Sequence, residues 1–330
     1  MLAFYSPTIS AFFVWNGFVS LVAVVLFAGL TYGNLPRGDN HGQFSMHELR
    51  KVWRFAAGIL STSILVLILT QIDKLILSKI LPLEIFGKYT FVATISNSLL
   101  IFISPITQAF YPRLTETLSQ GNVEAAKRIF HVGSKLVTSI IGTAACLIFC
   151  FSEHLIFIWT GNRELATATE HLLRIMTLGT LLNGFMNMPY MLMLAFGKPG
   201  FVAKVNFVAV LFLAPATLLV TPIYGAVGAA FVWVTLNAGY VFIASKFMFR
   251  QTLSEEIRSW LFNDLFKPFV VSLISLLLFW LLKPDFASRL YDGVFIGMAG
   301  GVSLVIALNC FLDEGILNFF KKYLRIGKKI

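Results

Sequence analysis

Nine long apolar segments dominate this chain and tie its fold to a membrane. They cover residues 10–32, 55–80, 87–110, 133–157, 171–196, 201–221, 224–247, 267–282 and 290–312. Most are long enough to cross a hydrocarbon core of ~30 Å, which takes about 20 residues of helix. Charged residues make up only 13% of the chain, against about 25% in an ordinary soluble domain. The sequence therefore predicts an all-α fold, a polytopic transmembrane helix bundle of about nine spans.

The Lys and Arg residues alternate sharply between successive loops, which predicts the orientation in the membrane. Loops on one side hold 18 of the 26 Lys and Arg residues, whereas the opposite loops hold 5. The richer set includes the segments 111–132 and 248–266 and the tail after residue 312. By the positive-inside rule the C-terminus is cytoplasmic, and nine crossings then put the N-terminus outside.

Composition and motifs exclude several classes of function. A net charge of +10 would suggest nucleic acid in a soluble protein, but here the basic loops explain it and suit anionic membrane lipids, so no nucleic-acid partner is expected. Loops of about 20 residues are too short for a catalytic domain, and no nucleotide-binding, zinc-protease or hydrolase motif is present, so the chain is not expected to be an enzyme. The cysteines (Cys146, Cys150, Cys310) are interpreted as small packing residues. Nor do the histidines show ligand spacing, and each is expected to be solvated or interfacial, so neither a metal nor a cofactor is predicted (His41, His47, His131, His154, His171).

The second span carries charge deep in an apolar helix. It holds Gln71, Asp73 and Lys74, and one charge near a helix centre costs about 2.5–3.5 kcal/mol. Adjacent side chains point about 100° apart, so Asp73 and Lys74 are not expected to pair well. Gln71 and Lys74 share a face with Ser78, which predicts the lining of a wet cavity. The alternative is that Lys74 extends towards the membrane surface.

Two further spans carry uncharged polar stripes at helical spacing. The third span has Thr90, Thr94, Asn97, Ser104 and Gln108; the fifth has Met176, Thr180, Asn183, Asn187 and Tyr190. Helix packing would explain any single stripe, but polar stripes on three spans together predict a shared central cavity. Pro105 and Pro189 predict kinks in these spans. Lys135, one turn into the fourth span, either reaches the cytoplasm or meets an anionic head group at the cavity mouth.

Two of the longer loops suggest a division of the chain. Residues 1–54 form a leading span and loop, residues 55–248 form six spans in three hairpins, and residues 249–330 form a trailing pair with a basic tail. Six spans in hairpins are typical of half of a repeat-built transporter.

Several segments resemble the polysaccharide (O-antigen type) flippases of the multidrug, oligosaccharidyl-lipid and polysaccharide exporter superfamily. "QIDKLILSKILPLEIFGKYTFVATI" is similar to the start of their second half, with its D-[KR] pair and G-x-Y loop (Asp73, Lys74, Gly87, Tyr89). "SPITQAFYPRLTETLSQGNVEAAKRIF" resembles the next element (Pro112, Arg113, Lys127, Arg128). "FGKPGFVAKVN" and "YGAVGAAFVW" resemble later elements in the same order. The resemblance covers about residues 50–312 and implies the C-terminal half of a MATE-like flippase, which lacks the first five helices.

The family implies an activity and a partner. Its members move an undecaprenyl-pyrophosphate-linked oligosaccharide across the bacterial inner (plasma) membrane by alternating access, for cell-surface polysaccharide such as the O-antigen of lipopolysaccharide. Cationic side chains would then bind the pyrophosphate, amides and a phenol would bind sugar hydroxyls, and Asp73 would couple transport to a proton or sodium ion. The implied substrate-binding residues are Lys74, Lys135, Gln71, Asn97, Asn183, Asn187 and Tyr190.

Other partners and functions stay open at this point. Besides the lipid-linked oligosaccharide and membrane lipids, a missing N-terminal half or polysaccharide assembly proteins are expected partners. The alternatives are a drug/ion antiporter of the same superfamily, a membrane glycosyltransferase or polymerase, which the short loops disfavour, and a non-transporting fragment.

Overall fold

The computed structural model describes residues 9–34, 45–284 and 288–311, and in these residues the fold is all-helical. The chain divides into two compact units, Met1–Arg50 and Lys51–Ile330. The helices are α1 Ile9–Asn34, α2 Met46–Ile80, α3 Leu83–Ser98, α4 Ile103–Ser119, α5 Val123–Thr160, α6 Arg163–Phe185, α7 Asn187–Ala195, α8 Pro199–Gly239, α9 Ser245–Arg250, α10 Ile257–Ser259, α11 Lys267–Leu281 and α12 Arg289–Phe311. A 3₁₀ turn, Leu99–Phe102, joins α3 to α4, and π-helical turns at Tyr240–Ala244 and Trp260–Phe266 precede α9 and α11.

Seven helical stretches in the described residues are long and apolar enough to cross a membrane. One of them, Pro199–Arg250, has 52 residues and contains two of the predicted spans. Gly225 in its middle leaves the helical conformation, with φ 60° and ψ −146°. The hydroxyl of Tyr240 donates to Asn206 Oδ1 at 2.8 Å, although a straight helix would hold these residues about 50 Å apart. The chain therefore reverses at Gly225, and the predicted spans 201–221 and 224–247 are the two antiparallel arms of one hairpin, here called the α8 hairpin.

The predicted fifth span, 171–196, is not among the seven stretches. It corresponds to most of α6 followed by α7, which are separated at Met186. Glu170 and Arg174 lower the apolarity of α6, and Pro189 has no N–H to continue the helix from Phe185. With the α8 hairpin counted as two arms, the described residues nevertheless hold nine helical passes at the predicted places.

The prolines mark the helix irregularities that the sequence predicts. Pro105 follows the 3₁₀ turn Leu99–Phe102. Because proline has no N–H, it cannot donate the α-helical hydrogen bond to the carbonyl of Ile101, four residues earlier, which lies in this turn. The break at Met186 lies three residues before Pro189. Regular α-helix is thus interrupted just before each of these two prolines.

Helix α5 is the shared wall of the bundle. One side packs on α4 and α6, and another packs on α11 and α12. A separate apolar cluster fills the second contact (Cys146, Cys150, Phe151, Leu276, Ile296, Ala299). The packing role predicted for Cys146 and Cys150 is confirmed, whereas the prediction for Cys310 is wrong because this residue is exposed. The trailing pair of helices after residue 248 therefore packs against α5. The proposed division of the chain stays a prediction.

The two sets of loops lie at opposite ends of the bundle. At one end Gly58 contacts Pro199, and the ammonium of Lys198 donates to the carbonyl of Gln251. At the same end Lys127, near the start of α5, pairs with Glu256, whereas at the far end of α5 Gly161 lies against Arg289. The basic loops are thus together at one end, as the alternation of charge requires. Which end faces the cytoplasm stays a prediction.

Candidate functional site

The charges of the second span form a small network between α2 and α3. The buried phenol of Tyr89 donates to Asp73 Oδ2 at 2.7 Å. The ammonium of Lys74 lies 3.7 Å from Asp73 Oδ1 and donates to the carbonyl of Thr70 at 2.6 Å. The prediction that Asp73 and Lys74 do not pair well is confirmed, because their contact is too long for a hydrogen bond and the lysine ammonium bonds to its own helix instead. The Lys74 side chain is still 30% exposed, so it keeps access to a ligand.

The polar stripe of the third span lies on the surface of the bundle. Thr94, Asn97, Ser104 and Gln108 are exposed, and Gln71 on α2 is exposed as well. Thr94 donates to the carbonyl of Thr90, and Gln108 donates to Ser104 Oγ at 2.8 Å. Within the described residues, neither the Asn97 nor the Gln71 amide has a hydrogen-bond partner. These two side chains are therefore available to bind another molecule.

The polar stripe of the fifth span turns inwards instead. Thr180 shares a 2.6 Å hydrogen bond with Ser96 of α3. Asn183 donates to Oδ1 of the buried Asn237 at 2.8 Å, and Asn187 donates to the carbonyl of Gly184 at 3.1 Å. Asn183 is thus paired with α8, whereas among the described residues Asn187 bonds only to carbonyls at the end of α6, and the expectation that the two asparagines bind substrate stays a prediction. Tyr190, farther along this stripe, is half-buried.

Lys135 belongs to a different part of the bundle. It lies on α5, half-buried, and its charge acts on the carboxylate of Asp264, which is 1% exposed. Its expected contact with the cytoplasm or with an anionic head group stays a prediction. Lys135 does not join Lys74.

Sequence reasoning missed a charged cluster around His131. Its ring nitrogens lie 2.5 Å from Asp264 Oδ2 and 3.1 Å from Glu256 Oε2. Lys127 pairs with the same Glu256 at 3.4 Å. The prediction that His131 is solvated or interfacial is wrong. No sequence pattern indicates these contacts, because His131 and Asp264 are 133 residues apart in the chain.

The predicted site residues therefore do not converge on one cavity in the described part of the chain. Lys74, Gln71 and Asn97 lie on α2 and α3, whereas Asn183 is paired with Asn237 of α8. Lys135 lies apart from both groups, on α5. A groove of about 720 Å³ opens elsewhere, at the end of the bundle that holds the basic loops, next to Lys198 and Lys204. In the described residues, no three His, Cys, Asp or Glu side chains are grouped to hold a metal ion.

Comparison with known proteins relates part of the chain to one family. Residues 59–219 match the family model MatE, which covers α2 from Ile59 to the first arm of the α8 hairpin. No curated protein and no solved structure matches the chain. The matched segment contains the Lys74 network and the exposed stripe of α3 and α4.

Proposed function

We propose that the chain serves a flippase for a lipid-linked oligosaccharide. The match of residues 59–219 to the MatE family model supports this proposal, since members of the superfamily of multidrug, oligosaccharidyl-lipid and polysaccharide exporters are membrane transporters rather than enzymes. The substrate class is an undecaprenyl-pyrophosphate-linked glycan. Its transfer across a bacterial inner membrane would supply cell-surface polysaccharide. The proposed orientation has the basic end of the bundle in the cytoplasm.

The single observation that carries this proposal is the accessible ammonium of Lys74 within an apolar helix. Its side chain is 30% exposed, and its nearest carboxylate, Asp73, is 3.7 Å away, beyond hydrogen-bond distance. A pyrophosphate oxygen placed beside this ammonium would accept a charge-assisted hydrogen bond, which is worth about 1.5–3 kcal/mol. An anionic head group fits such a position.

The exposed stripe on α3 and α4 supports a sugar-binding face. Asn97 and Gln71 offer amides without protein partners, and Thr94 adds a hydroxyl. Each polar group that faced lipid would lack a partner and cost free energy. We propose that further helices, from an N-terminal half or a polysaccharide assembly protein, cover this stripe and leave a passage for the glycan.

Asp73 fits an ion-coupling role better than a role in binding cationic drugs. Tyr89 donates to one of its oxygens; the other is buried, has no hydrogen-bond partner among the described residues and lies 3.7 Å from the ammonium of Lys74, whose positive charge would repel a cationic drug. A drug antiporter would need an acid free to meet a cationic drug. In the proposed cycle, protonation of Asp73 weakens its attraction for Lys74 and frees the ammonium for the pyrophosphate.

The test replaces Lys74 in the chromosomal copy and measures surface polysaccharide and protein level together. Lys74→Ala should lower surface polysaccharide by roughly 10-fold or more, because one charge-assisted hydrogen bond is lost. Lys74→Arg, which keeps the charge, should retain part of the activity. Lys79→Ala is the matched control, since Lys79 is an exposed lysine near the end of the same helix.

Two results would contradict the proposal. Normal surface polysaccharide in the Lys74→Ala strain, at normal protein level, would remove the lysine from substrate binding. Increased sensitivity to cationic drugs in the same strain, with polysaccharide unchanged, would identify the chain as part of a drug antiporter instead.

A further inference from the structure

The groove near Lys198 and Lys204 lies where three ends of two apolar stretches meet. Phe55 is the first residue of one membrane-spanning stretch; Pro199 is the first residue of the other, and Gln251 follows its last residue, Arg250. All three line the groove, together with the turn 197–201 and Lys204. Because the stretches end where hydrocarbon gives way to head groups, the groove is placed at the depth of lipid phosphates.

The charge of the groove is positive. Its lining has two lysines and no acidic residue. Lys198 is held in place because its ammonium donates to the carbonyl of Gln251 at 2.6 Å. Lys204 is exposed and forms no ion pair with any described residue. One cation is thus fixed and a second is available to close on an anion.

The turn between the lysines leaves room for that anion. A Cβ added at Gly197 or Gly200 would meet no atom within 4 Å. Gly197 has φ +70°, a conformation that suits glycine, and Pro199 opens helix α8. The backbone between the two lysines is therefore open to a bulky tetrahedral group.

The surface of α8 beyond Lys204 is apolar and exposed. Val208 and Leu211 follow Lys204 at four and seven residues, so they share its helix face, and Phe207 lies beside them. These three side chains are 65%, 59% and 55% exposed, respectively. A cation at the membrane interface, with an apolar helix face extending from it into the membrane, matches a lipid phosphate with its acyl chains. A soluble anion would contact only the lysines and leave the apolar face unused.

We propose that this groove binds the phosphate of an anionic membrane phospholipid, with Lys198 and Lys204 as the cations and the face Lys204, Val208 and Leu211 against its acyl chains. The site is separate from the Lys74 network and does not depend on the transported substrate. A bound lipid there joins the start of α8 to the start of the α2 span. It therefore stabilises the basic end of the bundle.

The test is native mass spectrometry of the full chain in detergent, titrated with phosphatidylglycerol. Lys204→Met should weaken binding about fivefold, the loss expected for one lysine near an anionic surface, and Lys204→Glu should weaken it further. Lys246→Met is the matched control, because Lys246 is an exposed lysine outside the groove lining. Lys204 has no ion-pair partner among the described residues, so its replacement leaves the fold intact.

Several outcomes would overturn the proposal. Equal binding of phosphatidylglycerol and phosphatidylcholine would exclude recognition of anionic charge. Equal losses of phosphatidylglycerol affinity in Lys204→Met and Lys246→Met would show that a basic surface attracts the lipid in general, without a specific site in the groove. If inorganic phosphate displaced phosphatidylglycerol at similar concentrations, the groove would bind a soluble anion, and the lipid assignment would be wrong.

Discussion

The hydrogen bond between Asn183 and Asn237 allows a test of whether Asn183 acts in helix packing or in transport. Asn237 is fully buried and accepts from Asn183 at 2.8 Å. In Asn183→Leu its carbonyl oxygen loses that donor, and a buried polar atom without a partner costs about 1–3 kcal/mol. Replacing both asparagines by leucine removes the orphan and recovers part of this loss. We expect a coupling energy of about 0.6–1.7 kcal/mol, the range found for hydrogen bonds between helices in membranes.

The assay is reversible unfolding in mixed micelles by detergent titration, applied to both single variants and the double variant. Asn97→Leu is the control, because Asn97 is exposed on α3 and has no hydrogen-bond partner within the described residues. Asn97→Leu should leave the free energy of unfolding unchanged but lower transport. Asn183→Leu should lower the free energy of unfolding but leave the transport rate per folded molecule unchanged. The reasoning fails if the two single losses simply add within about 0.3–0.5 kcal/mol. It fails equally if Asn183→Leu abolishes transport at normal stability.

Two further predictions concern helix packing and orientation. Gly179→Ala should destabilise the bundle by about 1–3 kcal/mol, because its Cβ would lie 2.4 Å from Trp233 Cδ1. Gly297→Ala is the control, because its Cβ would meet no atom within 4 Å and stability should not change. Equal free energies of unfolding in the two variants would contradict this prediction. Glu164→Cys should react with an impermeant thiol reagent added outside intact cells and Gln120→Cys should not, since both residues are exposed and lie next to loops at opposite ends of the bundle. The reverse labelling would invert the predicted orientation.

Hydropathy and loop charge predicted the positions of the helices well, because both act locally along the chain. Each of the nine predicted spans corresponds to a helical pass. Even the turn at Gly225 falls within one residue of the predicted start of the span 224–247, although helix continues on both sides of it. The prolines located the interruptions of α-helix for the same reason, since a missing N–H affects only its own helix.

The candidate site was harder to predict, because a polar stripe reveals a face but not the neighbour that the face meets. The stripes of the third and fifth spans look alike in sequence, yet one is exposed and the other is paired with α3 and α8. The partners of Thr180 and Asn183 are 84 and 54 residues away. Only the rotation of α6 within the bundle decides between a lumen and a packed interface. The same holds for His131, whose carboxylate partners come from the trailing segment.

The α8 hairpin also bears on how this part of the chain enters the membrane. Its turn consists of Gly225 and its uncharged neighbours, and no charged residue lies between Lys204 and Lys246. Both arms can therefore insert together, because nothing in the turn resists transfer through the hydrocarbon and no hydrophilic loop has to be translocated. In the predicted orientation, the lysines at the two outer ends remain on the side of synthesis and hold the inserted pair in place. A single charged residue introduced at the turn would act on biogenesis before it acted on the folded protein.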